Sequence, residues 1–158
     1  MSEDRQHFGI LQGRGLRENI TIAALPTAWG SWLELGLERE TAAAMIGRLA
    51  IRGAATQAIE TLSGGNQQKG LLARWMLTQA RVFLLDEPTR GIDVNAKEEV
   101  FALMAELASQ GAAVLMVSSE IPELLRVCDR LLVMRQNKIV RELDPGAATR
   151  EEVLHWAL

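Results

Sequence analysis

The sequence predicts an α/β fold, a mostly parallel sheet with helices on it and a helical part ahead of it. Three observations carry this. The run Val82-Phe83-Leu84-Leu85 is short, branched and bulky, as a fully buried parallel strand is. A second wholly apolar run, residues 112–117, follows a helical pattern over 94–109, and a strand–helix–strand crossover of that length reads as parallel βαβ. Helical spacing also recurs upstream, from Leu16, over 38–50 and after Ser63.

Taken in order, residues 1–13 read as a loop, with Gly9, Gly13 and Gly15 breaking any periodicity. Leu16, Ile20 and Ala23 to Ala24 share a helical face until Pro26 stops it. The stretch with Trp29 and Trp32 reads as a surface loop, where the two indoles either anchor a partner or cap a small core. Over 38–50, Thr41, Met45, Ile46 and Leu49 line one face, with Gly53 as the stop. Beyond Ser63, Leu71, Leu72, Trp75 and Met76 form an apolar stripe that reads as core packing. In the helix at 94–109, Val100, Leu103, Met104 and Leu107 face the sheet, Lys97, Glu98, Glu99 and Glu106 face water, and Gly111 ends it. Residues 129–135 and 138–142 read as an edge hairpin turning at Gln136-Asn137. The tail at 149–158 reads as a short helix capped by Thr149, with Glu152 three residues on.

Composition bounds the rest. The chain has 158 residues, 48% apolar and 23% charged, enough for one domain with a real core. A net charge of −3 gives no electrostatic reason to expect a nucleic-acid partner. One cysteine, Cys128, excludes an internal disulfide and reads as a small buried hydrophobe. No run approaches the roughly 18 to 20 apolar residues of a membrane span, so any membrane link is expected to go through a partner. His7 and His155 have no companion at metal-ligand spacing and read as surface or packing residues.

The chemistry concentrates at 61–93, TLSGGNQQKGLLARWMLTQARVFLLDEPTRGID. Ser63 stands where a helix N-cap belongs, and Gly64 and Gly65 leave the backbone N–H groups open to phosphate oxygens. Asp86 and Glu87 emerge at the carboxyl end of a strand, the edge where open α/β sheets put ligands. An anion cradle, a hard-cation carboxylate and a neighbouring base are the equipment of phosphoryl transfer from a magnesium nucleotide. Successive residues on an extended chain point opposite ways, which lets the two carboxylates divide the labour.

LSGGNQQK resembles the signature sequence of ATP-binding cassette (ABC) ATPases, and VFLLDEPTRGID resembles their Walker B strand and D-loop. With the SEDR opening, the NQQK and TRGID variants are similar to the second cassette of two-cassette bacterial ribose-type sugar importers. The resemblance covers essentially the whole chain and rests on several spaced elements. It implies an α/β, partial P-loop NTPase three-layer fold with a mostly parallel sheet plus a helical signature subdomain. Residues 1–78 would be the Q-loop segment, helical subdomain and signature helix, and 79–158 the C-terminal part of the RecA-like ATP-binding core.

The resemblance implies ATP and Mg2+ as cofactors. Ser63, Gly64, Gly65 and Gln67 would close over the γ-phosphate of ATP held by an opposite cassette, and Asp93 would serve in the D-loop while also capping the next helix. Asp86 would hold magnesium, and Glu87 would orient and polarise the attacking water. The second cassette, in the same full-length chain or as a dimer mate, and membrane permease subunits are the implied partners, with a periplasmic sugar-binding protein engaged indirectly. The implied location is the cytoplasmic face of the bacterial inner membrane.

The departures are informative. Ser2 or Glu3 stands where the family has its Q-loop glutamine, so Glu3, Asp4 and Arg5 either meet magnesium water or a neighbouring domain or form a solvated turn. Val117-Ser118-Ser119-Glu120 replaces the H-loop histidine, leaving Ser119 either as a hydrogen-bond donor at the active site or as the N-cap of a helix at 121–127. No G-x-x-x-x-G-K-[ST] loop occurs, so the chain is expected to be a fragment, inactive alone. The alternatives are a non-catalytic split cassette lending only its signature motif, or a soluble ABC protein of translation or DNA maintenance. The acidic charge and the motif variants point away from the last.

Overall fold

A computed structural model of the chain describes residues 5–24 and 34–158; Ser2, Glu3, Asp4, Pro26, Trp29 and Trp32 lie outside the described residues. The chain divides into two compact units, Met1–Val117 and Ser118–Leu158. The division expected at 78/79 falls within the first, just past the end of its third α-helix.

The first unit opens on a single π-helical turn, Arg5–Gly9, where the glycines had suggested a loop. Helix α1, Leu16–Thr21, starts at Gly15, whose N–H donates to a Glu18 carboxylate oxygen at 2.6 Å. Leu16, Ile20 and Ala24 are buried, as their spacing predicted. Helix α2, Leu35–Arg48, begins three residues before and ends two residues before the predicted limits. Its stop is not Gly53. Ala50 takes φ +46°, its N–H reaches the Gly47 carbonyl at 3.1 Å, and the Ile51 N–H reaches Ile46 at 2.9 Å, a Schellman closure built on alanine. The buried face of α2 is Glu38, Ala42, Met45 and Leu49, with Thr41 and Ile46 at its margin.

A short 3-10 turn, Ile59–Thr61, leads into α3, Gly64–Met76. Strand β1, Val82–Asp86, helix α4, Val94–Ser109, and strand β2, Ala113–Val117, then form the predicted parallel unit, in register from Val82 opposite Ala113 to Asp86 opposite Val117. The bounds of α4 coincide with the sequence reading because both ends carry strong local signals, the Asp93 cap and Gly111 at φ +90°. The buried residues of α4 are Val100, Phe101, Met104 and Leu107, so Phe101 joins the packed face and Leu103 moves to its margin.

Burial of the strands differs from expectation. Phe83 and Leu85 are buried, but Val82 and Leu84 are 60% and 61% exposed, and Leu115 and Val117 on β2 are open as well. Among the described residues β1 and β2 pair only with each other, so β2 is not central. A strand composed for burial on both faces needs a second covering layer, and the described residues supply cover for only one.

The second unit holds α5, Ile121–Val127, the antiparallel pair β3, Leu131–Arg135, and β4, Lys138–Leu143, and α6, Arg150–Ala157. The hairpin turns through Gln136 and Asn137 at φ +50° and +62°, the signs a type I′ turn requires, and forms a two-stranded sheet of its own. Leu131, Val133, Leu143 and Val153 make its core. Thr149 caps α6 by accepting from the Glu152 N–H at 3.2 Å. His155 meets the Trp156 ring edge-on at 5.5 Å, and the Arg141 guanidinium lies 5.0 Å from that ring's centre. No helix among the described residues is long and apolar enough to cross a membrane.

Candidate functional site

Asp86 is the last residue of β1 and lies exposed at the strand's carboxyl end, on the open face with Val82 and Leu84. Glu87 does not continue the strand. Its φ of +46° turns the chain sharply, its N–H donates to the Val117 carbonyl at 2.9 Å, and its own carbonyl accepts from the Arg90 N–H at 3.2 Å. The two carboxylates are therefore divided by a left-handed turn and not by strand alternation. A non-glycine residue in that conformation costs about 1–3 kcal/mol, sustained here by a tight turn whose Pro88 and Thr89 are fully buried. Gly91 at φ +68° continues the turn, and Asp93 accepts from the Ala96 N–H at 3.0 Å to cap α4.

At the Ser-Gly-Gly turn, Ser63 occupies the N-cap position of α3 with extended backbone, φ −60° and ψ 153°, and is exposed. Its hydroxyl does not cap the helix. It accepts from Asn66 Nδ2 at 2.8 Å, while Asn66 Oδ1 accepts from the Arg52 N–H at 2.8 Å. Gly64 is half-buried. Gly65 is buried, and a Cβ built on it would stand 2.4 Å from the Cβ of Ala96. Its missing side chain makes room for α4, a different reason from the phosphate approach that its place in the motif suggested. Gln67 is also buried, its amide donating to the carbonyls of Leu62 at 2.9 Å and Glu60 at 3.3 Å. This side chain braces the incoming loop and does not point out as a ligand would.

Ser119 lies exposed in the second unit. The N-cap position of α5 is Glu120 and not Ser119; it makes no side-chain cap bond, and its N–H donates to Ser118 Oγ at 3.0 Å.

Sequence reasoning missed the polar residues buried around α3. Lys69 Nζ lies 2.8 Å from both the Ala50 carbonyl and a Glu99 carboxylate oxygen. Arg74 donates to the carbonyls of Asn19 at 2.6 Å and Gly9 at 2.7 Å and to Asn19 Oδ1 at 2.9 Å, and burial lowers its pKa from the ordinary arginine value. Trp75, expected inside, is 40% exposed instead. The available signal was positional. Lys69 shares a helical row with Gly65, and Asn19 precedes Ile20 on the buried side of α1. Glu99 and Glu106, expected to face only water, are paired with Lys69 and Arg48.

Among the described residues there is no cluster of three or more His, Cys, Asp or Glu able to cage a metal. A lone exposed Asp86 suits magnesium that arrives with a nucleotide and keeps phosphate and water ligands. The exposed Ser63, at a helix N-terminus with no side-chain cap, suits one wall of an anion site.

A family model described as ABC transporter matches residues 2–90. The "Putative ribose/galactose/methyl galactoside import ATP-binding protein" of Pseudomonas fluorescens is 45% identical over 159 residues, covering 99% of this chain and 31% of that protein. The "Ribose import ATP-binding protein RbsA 1" of Streptomyces avermitilis is 44% identical, with 99% and 30% covered. The chain thus spans under a third of the length of these relatives. Among solved structures, the dimeric post-hydrolysis ATP-binding cassette MJ0796 bound to ADP and Pi superposes with a TM-score of 0.76 at 21% identity, over 90% of this chain and 62% of that one.

Proposed function

The chain belongs to the ABC transporter family, and on that premise we propose that it is part of an ATP-hydrolysing subunit that powers sugar import through a membrane permease. The observation that carries the catalytic reading is the strand end at 86–87, an exposed aspartate followed by a glutamate on a left-handed turn tied to the neighbouring strand through Val117. Residues 1–78 then act as the Q-loop segment, helical subdomain and signature helix, and 79–158 as the carboxyl-terminal part of the ATP-binding core. The names of the relatives support sugar import as the transport that the subunit drives.

In this reading Asp86 holds a magnesium ion brought by ATP, and the ion, when bound, neutralises charge developing on the phosphates. Glu87 takes the proton of, or aligns, the attacking water. Ser63 and Gly64 offer hydroxyl and backbone N–H groups to the γ-phosphate of a nucleotide held by a second cassette, and Asp93 faces that cassette from the D-loop. Ser119 donates a hydrogen bond where the family places a histidine. The subunit works at the cytoplasmic face of the membrane with permease subunits, and a periplasmic sugar-binding protein acts indirectly.

Joining this chain to a segment carrying a phosphate-binding loop, and pairing it with a complete cassette, tests the reading by phosphate release. Glu87→Gln should cut turnover at least a hundredfold while ATP still binds, and Ser119→His should raise it. Turnover insensitive to Glu87→Gln would favour the second reading, a non-catalytic cassette that lends its signature turn.

A further inference from the structure

The turn at 63–65 and the turn at 91–93 are separate in sequence but are fastened to each other in the first unit. Gly65, in the first turn of α3, lies against Ala96, in the first turn of α4, with no space for one added carbon. Ala96 is itself held from the other side, since its N–H donates to the Asp93 carboxylate at 3.0 Å. One helical turn further along α3, and three residues along α4, the buried Lys69 ammonium grips Glu99 and the Ala50 carbonyl. A third tie joins Arg48 at the end of α2 to Glu106 on α4. The contacts at 65 and 69 fall on one row of α3, and those at 96 and 99 on one row of α4, the i to i+4 and i to i+3 spacings along which packed helices mesh.

We propose that Gly65 is a positioning residue that docks the signature turn onto the capped start of α4, so that the turns at 63–65 and 91–93 approach a nucleotide as one rigid unit. The proposal deepens the nucleotide reading above and rests on it for the ligand. It also separates two glycines that the motif treats alike. Gly65 has no side chain because α4 fills that space, whatever its backbone N–H meets.

A size swap across the contact tests this. In Gly65→Ala the new methyl group collides with Ala96, whereas in Gly65→Ala/Ala96→Gly the methyl is moved to the other side of the same contact. Amide hydrogen exchange on this chain, with no nucleotide present, should show faster exchange at 67–70 and at 96–99, the first hydrogen-bonded amides of the two helices, together in the single variant, by tenfold or more. The double variant should return both segments to within threefold of the parent. In the assembled cassette, Gly65→Ala should raise the KM for ATP at least tenfold with a smaller loss in kcat, and Ala96→Gly should recover most of that KM.

A double variant as impaired as the single one in both readouts would overturn the proposal, since it would mean phosphate or solvent, not α4, meets position 65. If Gly65→Ala does not fold, Ala96→Gly alone decides. It should loosen exchange at 67–70 threefold or more, and an unchanged 67–70 would overturn the docking. Exchange that behaves as stated beside a parent cassette with no ATP turnover would count against the nucleotide reading and leave the docking in place.

Discussion

The ammonium of Lys69 sits 2.8 Å from a carboxylate oxygen of Glu99, with the lysine side chain 5% exposed and the glutamate side chain 51% exposed. The asymmetry decides what each deletion costs. Removing Glu99 leaves a buried cation with only the Ala50 carbonyl, whereas removing Lys69 leaves a carboxylate that water already reaches. Glu99→Ala should therefore lower stability by about 2 kcal/mol, and Lys69→Met, which fills the same space with apolar atoms, by less than about 1 kcal/mol. Urea unfolding of the chain checks the order, and equal losses would contradict it.

Asn19 and Arg74 form a second buried knot. The Asn19 amide donates to the carbonyls of Leu11, Arg14 and Gly15, and its oxygen accepts from the Leu11 N–H and from Arg74. Asn19→Ala should cost about 2 kcal/mol or more, because the Leu11 N–H loses its acceptor and the buried Arg74 guanidinium one of its three at once. Arg74→Lys should not substitute, since one ammonium cannot reproduce a fork that reaches Gly9 and both atoms of Asn19. Thermal unfolding of both variants measures this.

Two backbone positions invite stabilisation. Ala50 closes α2 at φ +46°, where an L side chain is strained, and Ala50→Gly should raise stability by about 0.5–1 kcal/mol. Gln136 and Asn137 occupy the two left-handed positions of a type I′ turn, and Gln136→Asn/Asn137→Gly should add a similar amount to the second unit. Calorimetry would show both, and a fall in melting temperature would mean the turn geometry is otherwise.

Cys128, at the carboxyl end of α5, has its thiol pKa pushed up by burial and then by the Asp129 charge. A raised folded-state value favours the protonated thiol in the folded chain. That contribution is complete below the unfolded thiol pKa and fades as pH climbs through the folded one. Iodoacetamide at pH 8 should accordingly modify the folded chain several-fold more slowly than the chain in urea. Stability should begin to fall on the alkaline side of about pH 8.5.

Much of the architecture was legible because its signals are local. Asp93 and Gly111 bracket α4, Thr149 and Glu152 start α6, and Gln136-Asn137 turns the hairpin, each acting through backbone within a few residues. The acidic pair was legible as a strand end, but the turn at Glu87 was not. Its left-handed φ is imposed by the bond from its N–H to Val117, thirty positions away. Trp75 and Lys69 show the same limit. On α3, Leu71 and Leu72 are buried as read, but Trp75 is 40% exposed while Lys69 is buried against a carboxylate that α4 brings to it.

The sequence by itself determined the order of helices and strands, the parallel βαβ unit and the motifs that place the chain in its family, since periodicity, caps and turn residues act at short range. Only the tertiary structure decided that Gly65 serves α4, that Gln67 braces a loop and that one face of β1 and β2 stands open. The first and last depend on which atoms meet across about 30 residues of chain, and Gln67, though it reaches back only to Glu60 and Leu62, depends on how that loop is folded; close packing between elements is not written in either partner alone.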